Sequence, residues 1–136
     1  MAPGEAAAEL VPARERGATR IADRVIAKIA AQAAREVLRE APEAPLVPVE
    51  RAMPHATASV ARAHGQGDGG PRLEARVWIS VELGYPSDIG ARCGAVRREV
   101  TERVRGLAGM EVPEVSVSVE RLHSAQTRHA DRERVR

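Results

Sequence analysis

From Arg72 to Leu83 polar and apolar side chains alternate without a break: Leu73, Ala75, Val77, Ile79, Val81 and Leu83 on one side, Arg72, Glu74, Arg76, Trp78, Ser80 and Glu82 on the other. A period of two is the side-chain period of a β-strand, so the segment after Pro71 predicts a strand with one buried and one wet face. Such a strand cannot stand alone. It needs neighbours for its backbone groups and a second layer over its apolar side.

Two helical periods can supply that layer. With Thr19 as N-cap, a helix to about Arg39 gathers Ile21, Ala22, Val25, Ile26, Ile29, Ala33 and Val37 on one arc and leaves Arg24, Lys28 and Arg35 opposite. Gly84-Tyr85-Pro86 breaks the strand, and Ser87 is a suitable N-cap for a second helix to about Ala108. Its Ile89, Cys93, Val96, Val100, Val104 and Leu107 form a single seam, and Gly109 stands where a left-handed C-cap is expected.

Two further strands complete the sheet. His55–Ala63 alternates weakly, and the GQGDGG segment at 65–70 reads as a flexible turn into the main strand. Val112–Leu122 has Val115, Val117 and Val119 inward and Glu114, Ser116, Ser118 and Glu120 outward. Four prolines between Ala41 and Pro54 predict a linker. Residues 1–18 and 123–136 lack periodicity and are expected to be unfolded, which leaves one domain over 19–122. The expected fold is α+β, a two-layer sandwich in the order helix-strand-strand-helix-strand, with both helices on one face of a three-stranded sheet. The opposite face has no cover in the sequence.

Composition narrows what such a domain can do. The chain has 136 residues, enough for one domain, and 21 basic against 19 acidic side chains leave a net charge of +2. Residues 20–120 are neutral overall, and the tail from Arg121 carries five arginines against two acids. Phe is absent, with one Tyr and one Trp, so the core must be aliphatic and base-stacking platforms are all but excluded. Nucleic acid is an unfavoured partner. A single Cys93, without CxxC spacing, and four histidines, none paired at i, i+4, argue against a disulfide or a metal site. No cofactor is implied. The opening MAPGEAAAELVPARERG lacks the basic start and apolar core of a signal peptide, and no apolar run approaches membrane-spanning length. A cytoplasmic protein without direct membrane insertion is expected.

Candidate chemistry is sparse. Cys93 lies on the apolar seam, where burial among aliphatic side chains works against the thiolate that catalysis requires. Gly90 and Gly94 have the spacing of a close-packing pair. Gly106-Leu-Ala-Gly109 matches the GxxG of KH-type RNA-binding loops, although here it closes a helix that leads into a strand. No phosphate-binding loop, nucleophile elbow or HExxH occurs. No catalytic site is expected. Trp78 stands apart, because it occupies the wet side of the best strand, where a monomer would gain from a polar residue. Trp and Arg are frequent interface anchors, which nominates Arg76, Trp78 and Ser80, with Ser116 and Ser118 alongside, as an interaction surface.

From Tyr85 onward the chain resembles a bacterial family of alkaline-shock and envelope-stress proteins, the Asp23/Gls24 family. The residues that carry the likeness are Tyr85, Ile89, Val96, Val100, Ala108-Gly109, Val112, Val115, Val117 and Val119, together with Ile21, Val25, Ile26 and Ile29 of the first helix. The match covers about residues 20–122. Pro86 replaces a glycine of the pattern and Ala108 a threonine, which marks a divergent member. The resemblance implies a non-enzymatic cytoplasmic protein of the envelope stress response that associates with itself or docks to a small membrane-anchored partner, and so associates with the membrane through that partner. A KH-like RNA-binding protein is the alternative.

Overall fold

The computed structural model describes residues 13–64 and 71–126. The expectations for residues 1–12, for the 65–70 turn and for the tail beyond residue 126 lie outside the described residues. Helix α1 (Ala13–Arg39) is followed by two 3-10 turns, Ala44–Leu46 and Val49–Arg51. Then come β1 (His55–His64), β2 (Pro71–Gly84), α2 (Ile89–Ala108) and β3 (Glu111–His123). The order is the expected one, and the fold is an α+β two-layer sandwich.

The sheet order is β1-β2-β3, with β2 antiparallel to β1 and parallel to β3. Parallel pairing requires a crossover, and α2 supplies it. On the inner face Ala75, Val77, Ile79, Val81 and Leu83 are buried, and they form one aliphatic core with Ile26, Ala30, Ala33 and Ala34 of α1 and Val96, Val100 and Val104 of α2. Val115, Val117 and Val119 pack against this core half-buried. The alanines of α1 have no side chain beyond Cβ, which lets the helix approach closely. Arg103 ties the layer across its top, with Nη1 2.6 Å from Glu36 on α1 and Nη2 2.8 Å from Glu99 one turn back on α2.

The element ends depart from expectation in instructive ways. Helix α1 starts at Ala13, so Thr19 lies within it and is no N-cap. No proline or glycine other than Gly17 opposes helix over 13–18, and one glycine costs only about 1 kcal/mol. The cap of α2 is Asp88, whose Oδ1 accepts from the Ala91 amide at 3.0 Å, whereas Ser87 Oγ donates to the Gly84 carbonyl at 2.7 Å. Gly109 closes α2 in the left-handed region at φ 66°. Four residues placed on apolar faces are exposed: Ile21, Val25, Leu73 and Leu107. Periodicity gives the direction of a side chain but not whether an element lies opposite it.

One contact has no local signal. Asp23, in the middle of α1, accepts the Val60 backbone amide at 2.7 Å. Strand β1 is a sheet edge, and a carboxylate on one of its amides occupies a site where another strand could pair.

Candidate functional site

The outward face of β2 is built by the same alternation that fills the core. Register sets its neighbours: Trp78 lies between Thr57 of β1 and Ser116 of β3, Arg76 between Ser59 and Glu114, and Ser80 between His55 and Ser118. All five nominated residues, Arg76, Trp78, Ser80, Ser116 and Ser118, therefore share one patch. Both helices pack on the opposite side, and Trp78 is 43% exposed. The surrounding polar groups are loosely held: Arg76 Nε is 3.6 Å from Glu114 Oε2, Ser116 Oγ donates to Glu114 at 3.4 Å, and Ser118 Oγ donates to Glu120 at 3.0 Å. Exposed pairs of this kind contribute little to stability, so a partner can rearrange them cheaply.

The far end of this face is closed, contrary to the expectation of a wholly uncovered sheet. Glu82 Oε1 lies 2.7 Å from His123 Nε2, and its other oxygen is 3.5 Å from Arg51 Nη1 of the segment between α1 and β1. His123 is thus a buried residue of β3 and not part of an unfolded tail. Two register shifts produce this. β3 carries an extra residue between the pairs Glu74–Glu111 and Arg76–Glu114, beside Pro113, and another between Val81–Val119 and Glu82–Arg121. Pro113 is a sequence signal for the first, since a proline within a strand marks a bulge or an edge, and no proline or glycine marks the second.

The proline-rich segment 41–54 is a strap rather than a free linker. Glu43 receives two hydrogen bonds from Arg92 of α2, at 2.5 Å from Nε and 3.2 Å from Nη2. Arg92 holds the Glu43 carboxyl below the usual glutamate range, against the opposing effect of burial. At Glu82 burial pushes the carboxyl up, but the His123 hydrogen bond and the charges of Arg51, His123 and Arg121 outweigh it and the net direction is down. Carboxyls lowered in the folded state stabilise it above the ordinary glutamate value of 4.5, and that stabilisation is lost as pH falls through their depressed values. The urea midpoint is expected to be flat from pH 7 to about 5 and to fall below pH 4.5. Glu43→Gln should lower the midpoint at pH 7 and shrink the acid drop; an unchanged pH profile would reject the assignment.

Cys93 is buried on α2. Gly106–Gly109 ends α2 and turns directly into β3, where the KH loop joins two helices. Among the described residues no cluster of three metal-ligating side chains occurs, every buried side-chain polar atom is hydrogen-bonded, and no helix is long and apolar enough to cross a membrane. No protein-family model matches the chain, and no curated protein matches it.

Proposed function

We propose that this chain is a non-enzymatic protein-interaction module that docks a protein partner on its outward sheet face, centred on Trp78. The supporting observation is the half-exposed indole in a row of small hydroxyl side chains, Thr57 and Ser116, which cannot cover it. A large amphipathic ring held rigid on a central strand is a low-entropy anchor for a partner. The resemblance to the alkaline-shock family supplies the setting, a cytoplasmic role in the envelope stress response with a small membrane-anchored protein as partner. In this reading the partner carries the anchor.

The test is co-purification from detergent-solubilised membranes with the whole chain and with Trp78→Ala. The variant should keep the wild-type melting temperature to within a few degrees, because the indole is outside the core, and should retain at least tenfold less of a small membrane protein, since loss of a central Trp anchor costs about 2 kcal/mol or more. Equal retention by both chains, with equal oligomer size by light scattering, rejects the proposal. RNA retained at low salt by a chain lacking residues 124–136 would favour the KH-like alternative.

A further inference from the structure

The strap borders a second feature, at the end of β2 beyond Trp78, whose lining does not include Trp78 and whose test does not depend on the docking proposal. Between residues 41–53, the last turns of α1 and the end of β2 lies a cleft of about 560 Å3. That is within the usual range for small-molecule sites, roughly 300–1,000 Å3. Its walls are aliphatic, including Leu38, Val47, Val49, Met53 and Leu83. Neither 3-10 turn of the strap contributes a buried residue, and Val49 and Met53 are 90% and 51% exposed. Val47 is half-buried, so these apolar side chains border the cleft and remain largely open to solvent, where a bound hydrocarbon chain could cover them.

The charges around the cleft have one sign left over. Its two carboxylates, Glu43 and Glu82, are already bonded to Arg92 and to His123 and Arg51. Its two cations, Arg35 and Arg39, stand one helical turn apart on α1, and neither has a carboxylate within ion-pair distance among the described residues, although the charge of Arg39 also acts on Glu36. Two guanidinium groups beside an aliphatic wall suit a ligand with one carboxylate and one hydrocarbon chain. We propose that the cleft binds a single-chain carboxylate amphiphile, with its head on Arg35 and Arg39 and its chain along Val47, Val49 and Met53.

Titration calorimetry of the whole chain with sodium dodecanoate, below its micelle concentration, tests this. Saturable one-to-one binding is expected, with 1-dodecanol and acetate each binding at least tenfold more weakly. Shortening the probe to octanoate should weaken binding by roughly two- to fourfold per methylene removed. Arg35→Gln with Arg39→Gln, both at exposed positions, should weaken dodecanoate by about tenfold or more and leave dodecanol unchanged. Ala44→Leu, which narrows the cleft, should weaken both probes. No saturable binding overturns the proposal, as does dodecanoate affinity indifferent to the double substitution. A dimer by sedimentation that Ala44→Leu dissociates, without ligand heat in the wild type, would give the cleft to a second copy and equally overturn it. Trp78→Ala should bind dodecanoate normally, so failure here is separable from failure of the docking proposal.

Discussion

Ile79→Ala is expected to lower the stability of this protein by about 2–5 kcal/mol, the range for truncating a fully buried isoleucine. Ile79 is 1% exposed at the middle of the central strand, with Ala56 and Val117 opposite it on either side. In a core without phenylalanine the neighbours are alanines and β-branched side chains, which have few alternative rotamers with which to collapse into the space left behind. The cost should therefore fall towards the upper half of that range. Urea unfolding followed by circular dichroism measures it; the midpoint should drop while the slope stays constant. A loss below about 1 kcal/mol would mean that the two layers are not closed over this residue. Trp78→Ala, one position away on the other face, is the internal comparison and should cost far less.

Gly84→Ala should be the most damaging small substitution outside the core. A β-carbon at Gly84 would overlap the Glu43 carbonyl oxygen and lie 2.8 Å from the Glu43 β-carbon and 3.0 Å from its carbonyl carbon. Its backbone does not have a positive φ, so conformational strain is not the reason glycine stands there. The obstacle is the strap's backbone, which cannot rotate away as a flexible side chain would, and Glu43 is pinned by Arg92. Overpacking of this kind costs about 1–3 kcal/mol, occasionally more. The damage should be local: amides of the strap such as Leu46 and Val47, which bond Glu43 and Ala44 carbonyls, should lose hydrogen-exchange protection while β2 keeps it. Unaltered exchange across 41–54 would show that the strap does not rest on β2.

Much of the fold was legible because its elements announce themselves through local periodicity. The alternation in β2 sets both its buried face and the outward position of Trp78, and the seam of α2 with Gly109 sets that helix and its end. The five-residue surface patch follows from alternation in β2 and β3 once their register is known. Other features were not legible. His123 sits beside Glu82 across 41 positions of sequence, Arg92 beside Glu43 across 49 and Asp23 beside Val60 across 37. No spacing rule encodes such pairs, because the intervening chain brings them together only after the layers have packed.

What the sequence by itself determined is the set of elements and the face each one buries, since steric and hydrophobic periods act over a few residues and need no knowledge of the rest of the chain. The tertiary structure alone decided where those faces find partners. It left Ile21, Val25, Leu73 and Leu107 exposed, bent a proline-rich segment into a strap over the end of β2, and placed two arginines of α1 on a cleft. Those outcomes depend on helix lengths, bulges and crossings that accumulate over tens of residues, and a one-residue change in register is enough to turn a side chain from one face to the other.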